Sequence, residues 1–194
     1  MSDHRSKVQH RSEERAAQLT PYSSPHKWFH WITVIAVFLM VPAGIAMAYM
    51  ESGPTQNALF DFHRSVGVFL LFFTAIRLIY RVFDVPPPLP ASIPFWQKAL
   101  AQLTQSALYF ILIANPLLGW YATSAYGAKI NIFGLFTLPS IASKNREIAS
   151  TLFDYHEALG LILCALVALH ILGSIYHLVI AKDGVFERMS FIKR

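Results

Sequence analysis

Four histidines lie within long apolar stretches of this sequence: His30, His63, His156 and His170. An imidazole nitrogen can bind a metal, and an ionisable residue is rare inside an apolar segment unless it has such a role. His156 and His170 are 14 residues apart, close to four helical turns, so both project from one helix face at depths that differ by about 21 Å. This spacing leaves room for two separate ligand sites.

The elements that position these histidines are predicted to be membrane helices. Hydrophobic residues make up 55% of the 194-residue chain and charged residues only 14%, values typical of a polytopic membrane protein rather than a soluble one. Apolar runs of about 20 residues can cross a bilayer as helices. We expect an all-α membrane protein, a four-transmembrane-helix bundle with spans at about 28–49, 62–80, 96–121 and 154–181.

The charge distribution predicts the topology. The net charge of +5 is concentrated in the two tails, which favours cytoplasmic termini and does not indicate nucleic-acid binding. The connection from Glu51 to Asp61 carries acids but no Lys or Arg, and is expected on the outer side. Residues 1–22 are interpreted as a flexible polar tail that gives His4 and His10 no role, 23–185 as the transmembrane domain and 186–194 as a basic carboxyl-terminal tail. The first apolar segment is interpreted as a retained span and not a cleaved signal.

This topology converts sequence position into depth. His30 begins an outward helix and His170 ends an inward one, so both belong to the inner level. His63 and His156 begin inward helices and belong to the outer level. Two histidines at each level are what two bis-histidine haem groups require. Because Cys164 is the only cysteine, attachment through thioethers is excluded and the haems would be held non-covalently.

Other uses of these histidines are less consistent with the pattern. Zinc needs its ligands close together, whereas the two pairs are separated by most of the membrane thickness. A proton pathway usually includes buried carboxylates, and here every Asp and Glu lies at a segment end. A haem-free histidine transporter remains as a further class, and it predicts a colourless protein.

Glycines at regular spacing support the haem interpretation. Gly67 and Gly160 each follow an outer histidine by four residues and therefore share its helix face. Gly44 follows His30 by 14 residues, which places it at the outer level of the first helix. All three are interpreted as clearance for a flat macrocycle, although small residues can equally serve close helix packing.

Two further histidines lie near the inner ends of helices. His177 follows His170 by seven residues on the same face. It is either an interfacial polar residue or a hydrogen-bond donor to a haem propionate or a quinone oxygen. His26 shares a face with His30, but it lies in the first helical turn beside Lys27, where we expect a hydrated side chain.

The histidine motifs together resemble a known family. The motifs are His30-Trp31, Phe62-His63-Arg64-Ser-Val-Gly67 and His156-Glu157-Ala-Leu-Gly160 with His170. The chain resembles the bacterial cytochrome b561 family over about residues 22–194. These are four-helix, dihaem, quinone-linked proteins of the bacterial inner membrane. The resemblance implies two b haems with axial ligands His30, His63, His156 and His170.

The short stand-alone members of this family include an enzyme that oxidises superoxide at the periplasmic face and reduces ubiquinone. The resemblance therefore implies an oxidoreductase of the inner (cytoplasmic) membrane with superoxide as donor and ubiquinone as acceptor. An outer entrance for an anion should be basic, and the candidates are Arg64, which could also contact a propionate, and Lys129, Lys144 and Arg146. Each of these charges could equally be an ordinary loop or interface residue. The candidates for a quinone site are Trp120, Tyr121 and His177.

An alternative is a cytochrome b membrane-anchor subunit that relays electrons between quinone and a separate periplasmic oxidoreductase, such as a hydrogenase. The ligand pattern is shared by both kinds of protein. Residues 122–150, the longest predicted loop, would then form the docking surface. The sequence predicts lipid contact in either case and leaves the oligomeric state open.

Overall fold

The computed structural model describes residues 20–191. Over this part the chain forms four long helices and one β-hairpin: α1 (Ser24–Tyr49), α2 (Pro54–Phe83), α3 (Phe95–Tyr126), β1 (Ile130–Ile132), β2 (Phe136–Leu138) and α4 (Arg146–Tyr176), which continues as a π-helical turn (His177–Ala181). The predictions for His4, His10 and the rest of the tail up to residue 19, and for residues 192–194, lie outside the described part.

All four helices are long and apolar enough to cross a membrane. Their outer surfaces carry large exposed side chains, such as Ile35, Phe72 and Leu161. In water these side chains would be unfavourable, but lipid solvates them at no cost. The chain is a multi-pass membrane protein, and the predicted four-helix fold is confirmed.

Two helices begin earlier than the predicted spans. α2 begins at Pro54 rather than near 62, because a proline is well placed in a first helical turn. The Gln56 side chain then donates hydrogen bonds to the carbonyls of Met47 (2.9 Å) and Met50 (3.1 Å) at the end of α1. α4 begins at Arg146 rather than 154, because the Asn145 side chain caps it by accepting the Ile148 N–H at 3.1 Å.

Residues 122–150 are more ordered than the predicted loop. α3 continues to Tyr126 and ends at Gly127, whose φ of 88° is readily adopted only by glycine. An antiparallel hairpin follows, with Ile130 paired to Leu138 and Ile132 to Phe136. The hairpin contacts Ser65 of α2, whose hydroxyl oxygen accepts the Phe133 N–H at 3.0 Å and lies 3.1 Å from the Asn131 carbonyl oxygen.

The helices pack as two antiparallel pairs, α1 with α2 and α3 with α4, and the pairs meet along α2 and α3. One apolar core runs between them, formed by Ala36, Val37, Met40, Val66, Leu70, Ile111, Leu112 and Leu163. We call the end of the bundle with the β-hairpin the hairpin end. The opposite end, where residues 20–23, the linker after α2 and residues 182–191 meet, is called the terminal end.

Residues 186–191 belong to the bundle rather than to a separate basic tail. Arg188 is only 2% exposed. Its guanidinium donates to the carbonyls of Thr20 and Pro87, both at 2.9 Å, and lies over the Tyr22 ring. A buried cation therefore joins residue 20 and the segment around residue 188 to the linker through charge-assisted hydrogen bonds to backbone carbonyls.

The start of α1 is tied to the same linker. Ser23 occupies the cap position of α1, but its hydroxyl donates to the Asp84 carboxylate instead of capping the helix. Tyr80 donates to the same carboxylate, and together these bonds lower the pKa of Asp84. The expectation of a hydrated His26 is wrong: this side chain is buried and its Nε2 lies 2.8 Å from the Asp84 carbonyl oxygen.

Candidate functional site

The structure brings the four intramembrane histidines together as two facing pairs. His63 of α2 faces His156 of α4 near the hairpin end, with ring centroids 6.0 Å apart. His30 of α1 faces His170 of α4 nearer the terminal end, with ring centroids 6.1 Å apart. These are the two pairs that the depth argument predicts, and no helix contributes both members of a pair.

This spacing fits one metal ion between the two rings of each pair. A metal–imidazole bond is about 2.0–2.1 Å long, so two such bonds and the half-width of each ring place the centroids roughly 6 Å apart. In residues 20–191 no three potential metal ligands cluster. Two nitrogens are too few for zinc but suit an iron whose other four ligands come from a porphyrin.

The pair at the hairpin end is held in a defined tautomer. His63 Nδ1 lies 3.1 Å from the Met40 carbonyl oxygen, and His156 Nδ1 lies 3.0 Å from that of Asn115. A carbonyl can only accept, so each Nδ1 carries a hydrogen and donates it. Each Nε2 therefore keeps its lone pair for a metal, which is the arrangement found behind metal-binding histidines.

A glycine one helical turn after each of these carbonyls makes room for the imidazole. A Cβ on Gly44 would lie 2.8 Å from His63 Cε1, and a Cβ on Gly119 would lie 2.9 Å from His156 Cε1. We call each combination of carbonyl and glycine, Met40 with Gly44 and Asn115 with Gly119, a ligand seat. The two helix pairs thus repeat one design, with the seat on the first helix and the histidine on the second.

Gly119 was not predicted to have a role, and Gly44 was predicted to clear a macrocycle rather than a histidine ring. Gly44 does lie at the level of the hairpin-end pair, as predicted, but it clears the His63 ring itself. A Cβ on Gly67 or Gly160 would make only ordinary contacts, at 3.9 Å from Met40 Sδ and 4.0 Å from Asn115 Nδ2. Their use as clearance for a macrocycle stays a prediction. The buried Asn115 Oδ1, which has no hydrogen-bond partner in the described chain, lies in the same region.

The pair at the terminal end has a different neighbour. The Arg77 guanidinium lies 3.4 Å from His30 Nδ1 and 3.4 Å from the Thr33 hydroxyl, and it stacks over the Tyr109 ring at 5.1 Å. Arg77 thus lies inside α2 and turns toward the imidazole pair.

A cavity of about 700 Å³ surrounds this pair, a volume within the range of cofactor and ligand sites. Aliphatic side chains line it between the helices, and aromatic and polar groups line it toward the terminal end. They include Val37, Leu112, Leu163, Val167, Trp96, Gln97, Tyr109, His177, Phe186 and Arg188. His177 Nδ1 is 2.7 Å from the Asp183 carboxylate, so its ring has an acidic partner.

Comparison with known proteins identifies the family. A family model described as prokaryotic cytochrome b561 matches residues 21–191. The chain belongs to the prokaryotic cytochrome b561 family. It is 30% identical to cytochrome b561 homolog 2 of Escherichia coli (strain K12) over 164 residues, which cover 83% of this chain and 86% of that protein. It is 26% identical to the probable superoxide oxidase CybB of Yersinia pestis over 174 residues, 89% of this chain and 97% of that protein.

Membership of the cytochrome b561 family implies b-type haem and a role in membrane electron transfer. The donor set described above fits that group: paired imidazoles, an oriented Nε2 on each hairpin-end ligand and an apolar cavity at the terminal-end pair. The resemblance to the cytochrome b561 family, inferred from the histidine motifs, is confirmed.

The basic residues suggested for an outer entrance differ in their surroundings within this cytochrome b561 fold. Arg64 is partly buried, lies 3.8 Å from the Asp61 carboxylate and stacks on Phe60. Arg146 stacks on Tyr126 at 4.8 Å. Lys129 and Lys144 are exposed at the hairpin end, where the stem of Lys144 packs on Gly127.

The residues suggested for quinone lie at opposite ends of the bundle. His177 lines the terminal-end cavity. Trp120 lies at the hairpin end and its indole N–H donates to the Pro139 carbonyl at 3.0 Å, while Tyr121 beside it is exposed. The three side chains do not form one site.

Proposed function

We propose that this protein is a dihaem b-type cytochrome that carries electrons across the bacterial inner membrane from superoxide to ubiquinone. His63 and His156 would hold the haem near the hairpin end, and His30 and His170 the haem near the terminal end. When bound, each haem would accept and release one electron. Oxidising two superoxide anions to two O2 releases two electrons, which with two protons convert one ubiquinone to ubiquinol.

The observation that carries this proposal is the geometry of the two imidazole pairs. Each pair has the spacing for one iron, and the two ligands on α4 are 14 residues apart, about 21 Å along the helix. One redox centre therefore lies toward each side of the bilayer. Such an arrangement is suited to transfer across the membrane rather than to chemistry at a single surface.

The donor end would be the hairpin end, facing the periplasm. The described chain ends and the linker after α2 lie at the opposite end, and their basic residues favour the cytoplasm. Arg64, next to His63, and Lys129 and Lys144 provide positive charge at the hairpin end that would attract superoxide. The similarity to a probable superoxide oxidase supports this choice of donor.

The acceptor end would be the terminal-end cavity. A quinone has an apolar ring and tail with two carbonyl oxygens, and the cavity combines aliphatic and aromatic walls with His177 and Gln97. His177, held by Asp183 at 2.7 Å, is placed to donate a hydrogen bond to a quinone oxygen.

A second candidate function, a membrane anchor for a periplasmic oxidoreductase, is favoured by one observation. The tip of the β-hairpin exposes Phe133, Leu135 and Phe136 side by side, with Leu135 80% exposed. Exposed apolar groups of this kind occur at protein interfaces. The partner subunit would cover the hairpin and deliver its electrons to the His63 and His156 pair.

The ligand assignment is tested by extracting and counting haem from purified protein and recording its reduced-minus-oxidised spectrum. We expect two b haems per chain, and one in each of the variants His63→Ala and His170→Ala. His26→Ala is the matched control, because this buried histidine at the terminal end belongs to neither pair, and it should keep both haems. A control that loses haem, or a ligand variant that keeps two, would contradict the assignment.

The reaction is tested with the purified protein in liposomes that contain ubiquinone. Superoxide generated outside should reduce the quinone, and added superoxide dismutase should stop the reduction. Quinone reduction that appears only when a co-purifying subunit is present would instead support the membrane-anchor function.

A further inference from the structure

The two histidine pairs differ in the groups that contact the Nδ1 atoms of the histidines. At the hairpin end, both imidazoles donate to backbone carbonyls, those of Met40 and Asn115. At the terminal end, neither His30 nor His170 has a carbonyl partner among residues 20–191. His30 Nδ1 faces the Arg77 guanidinium instead, at 3.4 Å.

These partners act on a bound iron in opposite directions. A carbonyl that accepts the Nδ1 hydrogen increases the electron density of the imidazole, which makes it a stronger donor and favours the oxidised metal. A guanidinium has no acceptor, so it cannot take the Nδ1 hydrogen that an iron-bound His30 would carry, and it would act on the pair only through its fixed positive charge. Reduction lowers the charge on the iron by one unit, so a nearby cation favours the reduced form.

The charge of Arg77 is not neutralised in the described part of the chain. No carboxylate of residues 20–191 lies within 4.0 Å of its guanidinium, whereas Arg64, near the hairpin-end pair, has Asp61 at 3.8 Å. Arg77 is also placed inside the membrane-spanning part of α2, where low polarity strengthens electrostatic interactions. A charged residue in that position generally has a functional role, because burying it is costly.

We propose that Arg77 is a positioning residue that raises the reduction potential of the terminal-end haem above that of the hairpin-end haem. The proposal rests on the two-haem function proposed above. With both haems bound, the hairpin-end Fe²⁺ would give one electron to the terminal-end Fe³⁺. The positive charge of Arg77 would give this transfer its direction, toward the quinone cavity.

The test is a spectroscopic redox titration of the full-length protein with both haems bound. The two transitions are assigned with His63→Ala and His170→Ala, which each retain one haem. We expect the terminal-end haem to be reduced first in the unsubstituted protein. In Arg77→Gln its reduction equilibrium constant should fall at least about tenfold, which is about 59 mV for one electron, while the hairpin-end transition stays in place.

Two further variants separate charge from structure. Arg77→Lys keeps the positive charge and should restore most of the potential. Arg81→Gln removes a charge one turn further along α2 from a half-buried side chain that also lines the cavity, and water should screen it so that the shift is much smaller.

The outcomes distinguish this inference from the proposed function. A protein with fewer than two haems contradicts the ligand assignment. Two haems with the hairpin-end haem reduced first, or an Arg77→Gln variant that binds both haems with unchanged potentials, would overturn the role of Arg77 and leave the assignment intact. Loss of the terminal-end haem in Arg77→Gln would also overturn this role, because Arg77 would then be needed to hold the haem rather than to set its potential.

Discussion

Replacement of Gly119 by alanine should remove one haem from the protein. The new Cβ would lie 2.9 Å from His156 Cε1 and 3.1 Å from its Nδ1, whereas unstrained carbon atoms approach no closer than about 3.5 Å. The ring must therefore retreat by roughly 0.6 Å. It cannot do so without stretching the 3.0 Å hydrogen bond to the Asn115 carbonyl, which contributes about 0.5–1.5 kcal/mol.

This displacement of the ring is large compared with the variation in metal–ligand distance that a metal site tolerates. Ligand distances at metal sites are met to within about 0.2 Å, so a displacement about three times larger should prevent His156 from reaching the iron. We expect Gly119→Ala to bind one haem per chain instead of two and to keep the spectrum of the terminal-end haem. Gly44→Ala should do the same through His63, since its Cβ would lie 2.8 Å from that ring.

The assay is the haem count per chain together with the low-temperature optical spectrum, in which the two haems can be told apart by comparison with His63→Ala. Gly53→Ala is the control, since it makes the same chemical change at the start of α2, outside both histidine pairs, where a Cβ would meet nothing within 4 Å. It should retain both haems. A Gly119→Ala protein that binds two haems with an unchanged spectrum would refute the idea of a ligand seat.

Three smaller effects concern the two ends of the bundle. Arg188→Ala should lower the free energy of unfolding by about 2 kcal/mol, because the guanidinium donates to two carbonyls while only 2% exposed, and the thermal unfolding midpoint measures this. The hydrogen bonds from Ser23 and Tyr80 lower the pKa of Asp84 below its ordinary value of 3.8, so the stability they provide is present above that pH and is lost as the pH falls through the folded pKa. The unfolding midpoint should thus fall more steeply below pH 3.8 than in Asp84→Asn. Ser65→Ala should loosen the hairpin by about 1 kcal/mol, seen as faster hydrogen exchange of residues 130–138, because the Phe133 N–H loses its acceptor.

The pairing of the four histidines could be predicted from the sequence because it depends on few variables. The rise of a helix is constant, so the 14 residues between His156 and His170 convert directly into depth. The alternation of inward and outward spans then assigns His30 and His63 to levels. Neither step requires knowledge of how the helices rotate or which of them touch.

The features that sequence reasoning missed depend on rotation and contact. Gly119 matters only because α3 places it against His156 of α4. In the sequence, Arg77 cannot be told apart from the basic residues found at the ends of many membrane spans. Its contact with His30 follows from the orientation of α2 against α1. Arg188 resembles part of a basic tail, and its burial follows from backbone carbonyls that the Pro-rich linker and the start of the chain present to it.

The repeated ligand seats have a consequence for how the protein is assembled. Each helix pair orients one hairpin-end histidine by a hydrogen bond within the pair. His63 donates to the Met40 carbonyl, and His156 donates to the Asn115 carbonyl. Both proposed iron positions, however, would lie between the pairs, since each combines a histidine of α1 or α2 with one of α4. A pair of helices could therefore insert with its ligand already oriented, while haem would be captured only when the two halves meet. Once bound, each haem would link the two helix pairs. Because it would bind only the assembled bundle, it would also stabilise that bundle by mass action.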